Sequence, residues 1–199
     1  MKKLSALTVI AALATVLLVF CNQPEKRDAV AMIGGERISP DSLVKRGKYL
    51  VDIMGCNDCH SPKLMGPQGP YADPDKLLSG HPASMPVAKF DTLTTKNWVL
   101  FNVFNTATVG PWGVSFAANI TSDSTGIGGW TEHQFLKAIR EGKYKGLDNS
   151  RPLLPPMPWP GFAKASDDDL KAVFAYLKST KPVKNVVPTA IFNQPPPAK

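Results

Sequence analysis

The chain has 199 residues, 43% of them hydrophobic, with 23 basic against 16 acidic side chains and a formal charge of +7. That length and apolar content fit one ordinary domain with extensions, while 19 prolines argue against long strands and for long irregular segments. The mild positive balance suits acidic partner surfaces or plain solubility; without a dense Lys/Arg patch interleaved with aromatics, it gives no support to nucleic-acid binding.

Residues 1–21 read as an export signal: Lys2 and Lys3 form a positive start, and Leu4–Phe20 is an uncharged apolar run. Cys21 closes it, followed by polar Asn22-Gln23-Pro24, and looks like a bacterial lipoprotein cysteine that takes a diacylglycerol. Phe20 is bulky where lipoprotein signals have a small residue, so an uncleaved anchor helix and ordinary cleavage remain open. All three place the domain on the periplasmic side. Residues 22–38 are charged, contain Gly34-Gly35 and read as a tether.

The domain itself is expected over 39–183. Ser39-Pro40 gives an N-cap and a first-turn proline, and Leu43, Gly47, Leu50, Val51 and Met54 recur at helical spacing. The spacing predicts a helix over 40–54 with Gly47 on its apolar face, either permitting close approach of another helix or merely tolerated. The helix should run straight into Cys56-Asn57-Asp58-Cys59-His60. This is C-x-x-C-H, the attachment sequence of c-type haem. Two thiols tether the ring, and the imidazole of His60 follows in place to bind iron. With only three cysteines in the chain and Cys21 assigned to lipid, neither a disulfide nor a four-ligand zinc site remains.

Residues 61–118 carry Pro62, Pro67, Pro70, Pro74, Pro82 and Pro86, which forbid one continuous helix. Asp73-Pro74 should cap a short helical turn closed by Gly80, and partial alternation within 87–108 predicts a small hairpin. A loop this long and this apolar is expected to wrap the haem and shield it from water. Thr131 with Gln134 makes a capping box for a helix that Gly142 ends; Ser166 with Asp169 starts another, which Pro182 stops. Residues 184–199 read as a Pro-rich tail, laid on the surface or free.

A haem iron with two strong protein ligands moves electrons; one with an open position binds gases or does chemistry. Met157 is the favoured partner for His60, in Leu153-Leu154-Pro155-Pro156-Met157-Pro158-Trp159, where prolines limit the entropy lost on holding the thioether. His81 is the main rival, with Met85 behind it; Met65 and His133 are further candidates. Trp130 and Trp159 are expected to pack at the haem, as is Trp112, and Arg151 is a candidate propionate partner.

The order helix, C-x-x-C-H, loops, helix, Pro-Met-Pro loop, final helix resembles class I c-type cytochromes. Asn119-Ile120-Thr121, Thr125-Gly126-Ile127-Gly128-Gly129-Trp130-Thr131 and Pro156-Met157-Pro158-Trp159 are similar to the haem domains of cytochrome subunits of membrane-bound alcohol, aldehyde and gluconate dehydrogenases. Those subunits typically carry three haem motifs, and this chain has one. The resemblance implies a mostly α cytochrome c fold with three main helices around one covalent haem c. It implies His60 and Met157 as axial ligands and a backbone carbonyl after the motif, at Pro67 or Pro70, accepting from His60. The expected function is single-electron transfer in a membrane-associated redox chain, with redox proteins such as a membrane-bound dehydrogenase or oxidase as partners. The alternatives are a haem enzyme or gas sensor with an open iron position, and an accessory haem subunit of a dehydrogenase complex.

Overall fold

Helix α1 (Pro40–Ile53) begins where the sequence places its cap, with the Ser39 hydroxyl accepting from Ser42 N at 3.2 Å. The computed structural model to which it belongs describes residues 31–33 and 36–193. The signal segment, Cys21 and residues 194–199 lie outside the described residues. Among the described residues no helix is long and apolar enough to cross a membrane. Ahead of α1, in the stretch read as a tether, strands β1 (Ala31–Ile33) and β2 (Glu36–Ile38) pair antiparallel.

Helix α1 does not run straight into the motif. Met54 caps it, Gly55 turns the chain with φ 69°, and a separate short helix α2 (Cys56–His60) follows. A left-handed φ suits glycine, which has no Cβ to clash.

The other long helices are α3 (Glu132–Glu141) and, past the one-turn α4 (Trp159–Phe162), α5 (Asp167–Ser179). The capping box at Thr131/Gln134 is complete, and Gly142 ends α3 in the left-handed conformation. Ser166 caps α5, accepting from Asp169 N at 3.1 Å. Helices α1 and α5 cross at Gly47. A Cβ there would stand 1.9 Å from the Ala172 carbonyl oxygen and 2.7 Å from Tyr176 Cβ, so the glycine is a requirement of the crossing. Around it Leu50, Val51, Phe135, Ile139, Leu170, Val173, Phe174 and Leu177 form the core, with Phe135 and Phe174 stacked at 5.3 Å.

The segment 61–118 holds more strand than one hairpin. β3 (Lys63–Gly66) pairs with β4 (Gly69–Ala72) directly after the motif. β5 (Leu100–Phe101), β6 (Ala107–Gly110) and β7 (Gly113–Phe116) run antiparallel in a sheet completed by β8 (Ile191–Phe192) from the chain's end. The expected helical turn after Asp73 is a run of turns, in which the Asp73 carboxylate accepts from Asp75 N and Leu78 is buried at φ 62°. Most described residues therefore lie outside helices, and the mostly helical expectation overstates the helix content. The physical reason is that proline-rich sequence places its backbone in small sheets and side-chain-braced turns rather than in helices.

Candidate functional site

Cys56 and Cys59 stand one turn apart on α2, and His60 is its last residue. Both sulfurs are free thiols, not paired with each other. Burial pushes the Cys56 thiol up to about 11, with weaker repulsion from Asp52 and Asp58, and raises Cys59 too. Neither is the low-pKa thiolate of a disulfide oxidoreductase. Cys56 packs against the hydrophobic core.

His60 Nδ1 lies 2.7 Å from the Ala118 carbonyl oxygen. A carbonyl only accepts, so Nδ1 carries the proton and Nε2 keeps its lone pair. Burial lowers the imidazole's proton affinity, with the Ala118 bond opposing, which favours the neutral ring a metal needs. The carbonyl is thus supplied by Ala118, not by Pro67 or Pro70. Residues 63–72 fold on themselves as β3 and β4, whereas the strand end after β7 passes the histidine. No side-chain pattern marks a backbone carbonyl, which is why the sequence does not reveal it.

Two of the rival ligands are hydrogen-bonded elsewhere and two are exposed. His81 is 1% exposed, its Nδ1 accepts from the Thr106 hydroxyl at 2.9 Å, and its Nε2 donates to the Met85 carbonyl at 3.2 Å. Met85 Sδ accepts from Asn102 Nδ2 at 3.8 Å. Met65 is 65% exposed on β3, and His133 is exposed on α3. Met157 is half-buried against the same core as Cys56. Its loop is fastened to the sheet: the Ser115 hydroxyl on β7 donates to the Pro155 carbonyl at 2.6 Å.

Trp130 packs on that core as well, while Trp159 opens α4 with its indole over Gly142, where a Cβ would come within 2.4 Å of the ring. Trp112 fills the space a Cβ on Gly110 would take. The Arg151 guanidinium lies 3.9 Å from the centre of the Tyr144 ring and donates to the Pro152 carbonyl. The stretch Asn119–Thr121 is a buried polar knot. Asn119 Oδ1 accepts from Thr121 N and Oγ1, and its Nδ2 donates to the Val183 carbonyl at 2.8 Å. The glycines that follow fit against it, since a Cβ on Gly126 would meet the Thr121 carbonyl at 2.6 Å.

Two thiols and a neutral imidazole on one short helix, with a thioether on the shared core, are a donor set that fits haem c. The cytochrome c family model matches residues 44–181. The chain is 36% identical over 137 residues to a gluconate 2-dehydrogenase cytochrome c subunit of Pantoea cypripedii, covering 68% of this chain and 23% of that one. It is 30% identical over 157 residues to the cytochrome c subunit of a quinone alcohol dehydrogenase of Gluconobacter oxydans, covering 78% and 24%. A fructose dehydrogenase cytochrome subunit of Gluconobacter japonicus is 30% identical over 142 residues, 70% of this chain and 22% of that one. The chain thus spans about a quarter of the length of the curated relatives it matches. With its attachment cysteines on α2 and the matched region running from α1 to the end of α5, the chain belongs to the cytochrome c family and takes haem c covalently.

Proposed function

We propose that the protein is an exported, single-haem electron carrier in which His60 and Met157 would be the protein ligands of the iron. The observation that carries this reading is the His60–Ala118 bond, which orients the ring and leaves Nε2 as the nitrogen for the metal. Bound haem c supplies a one-electron Fe(III)/Fe(II) couple, and a methionine ligand sets it higher than two histidines would. Cys56 and Cys59 hold the group covalently. The Ser115–Pro155 bond steadies the Met157 loop, and a fixed ligand keeps reorganisation small at each transfer. Engagement of both His81 nitrogens favours Met157 over the main rival. Trp130, on the shared core, and Trp159, over Gly142, would limit water at the bound group. The chain performs no substrate chemistry of its own.

Visible spectra test the ligation. The oxidised protein should show a low-spin haem with the weak far-red methionine band, and carbon monoxide should barely change the reduced form. Met157→Ala should open the iron to carbon monoxide and lower the potential. High-spin spectra with ready carbon monoxide binding in the unaltered protein would make it an open-site enzyme or sensor instead. The export signal and Cys21 support a periplasmic location, with a lipid or anchor holding the domain at a membrane. If Cys21 carries a lipid, Cys21→Ser should move the protein from the membrane to the soluble fraction; a variant that stays with the membrane would point to an anchor helix instead.

A second reading is favoured by the relatives, whose names make them cytochrome subunits of dehydrogenases. The chain is then the accessory haem subunit of such a complex, with the dehydrogenase as electron donor. Co-purification from native membranes with a dehydrogenase would establish it; recovery of the cytochrome alone would favour a free carrier passing electrons among redox proteins.

A further inference from the structure

The helix that carries both attachment cysteines is only five residues long, so its last carbonyls must find donors outside it; that of His60 accepts from Gly80 N at 2.7 Å. The residue four after Asp58 is Pro62, which has no N–H to give. Lys63, the first residue of β3, fills that place. Its Nζ lies 3.1 Å from the Asn57 carbonyl, 3.0 Å from that of Asp58 and 2.5 Å from that of Ser61. An ammonium has three protons and no lone pair, so three carbonyls use it fully, whereas a neutral amine would leave one carbonyl without a donor. A cation also suits the negative end of a helix. The side chain is half-buried, which limits screening by salt. Asp58, the acidic residue of the same helix, is exposed to solvent.

We infer that Lys63 is a positioning residue for the haem: it closes the helix that carries Cys56, Cys59 and His60, and its fixed positive charge there holds the reduction potential up. The oxidised centre bears one more positive charge than the reduced one, so a nearby cation disfavours oxidation. Replacing the ammonium by a group of similar reach without charge removes that bias.

The experiment uses the full chain with haem attached, and compares Lys63→Met, Lys63→Gln and Lys63→Arg by redox titration followed in the visible spectrum. The Met and Gln variants should shift the midpoint potential down, and Arg should restore most of it. Loss of attached haem in Met and Gln but not in Arg would equally support a required cation. A Gln variant with the parent potential, an Arg variant shifted as far as Met, or equal loss of haem in all three would overturn the inference. It rests on His60 as the iron ligand proposed above; the low-spin spectrum reports that ligation and the potential reports Lys63, so the two fail separately.

Discussion

The Ser115 hydroxyl reaches from β7 to the Pro155 carbonyl and so ties down the loop that carries Met157, the iron ligand proposed above. A neutral hydrogen bond of this kind contributes about 1 kcal/mol net. Ser115→Ala should therefore weaken the hold on the methionine by about fivefold. On the proposed ligation, added imidazole competes with Met157 for the ferric iron, so its affinity measures this directly. A rise of roughly that size is expected with little change in thermal stability; an unchanged affinity would detach Ser115 from the ligand loop. At this scale the attachment residues were legible because covalent chemistry imposes a fixed spacing, Cys56-x-x-Cys59-His60. Ala118 and Ser115 were not, because each bond ends on a backbone carbonyl and joins residues distant in sequence.

Helices were legible where local signals set their ends. Ser39, Thr131 and Ser166 cap by bonds within three residues, and Gly142 closes α3. The strands were harder to see. β3 and β4 are each four residues, show no alternation of burial, and include Pro70, so they carry no period-two signal. Gly47 lies between these cases: its place on the apolar face was visible, but only the Ala172 carbonyl seated against it decides between close approach and tolerance. Gly47→Ala must push α1 and α5 apart, because the clash is with backbone that no rotamer change can clear. A loss of about 3 kcal/mol or more is expected, at the upper end for overpacking. Denaturant unfolding of the haem-loaded protein checks this, and a change below about 1 kcal/mol would mean that the crossing slides at little cost. Thr131→Ala offers a calibration on α3, where loss of one cap should cost about 1 kcal/mol.

Across the whole molecule, the proline-rich loops are closed by the chain's end rather than by a second apolar layer. Residues after α5 return across the fold, and Ile191–Phe192 join the sheet beside β7. Asn185 makes the tie. Its Nδ2 donates to the Ser79 carbonyl at 2.7 Å and the His81 carbonyl at 2.9 Å, its Oδ1 accepts from Ala83 N, and its own N–H donates to the Thr125 hydroxyl. These bonds gather loop 79–83 and the turn at 125, next to the buried Asn119 knot that also bonds Val183. No apolar period advertises such a role, so from sequence the tail reads only as surface-laid or free. Asn185→Ala would strip three side-chain bonds at once and leave partly buried carbonyls unmet, a loss of about 1–3 kcal/mol. The effect should be local first. Amide exchange should quicken at Ala83, whose N–H loses its acceptor, before it quickens in α5, and the haem spectrum should stay native. Uniform acceleration throughout the domain would instead mean that the tail and the helical core open as one cooperative unit.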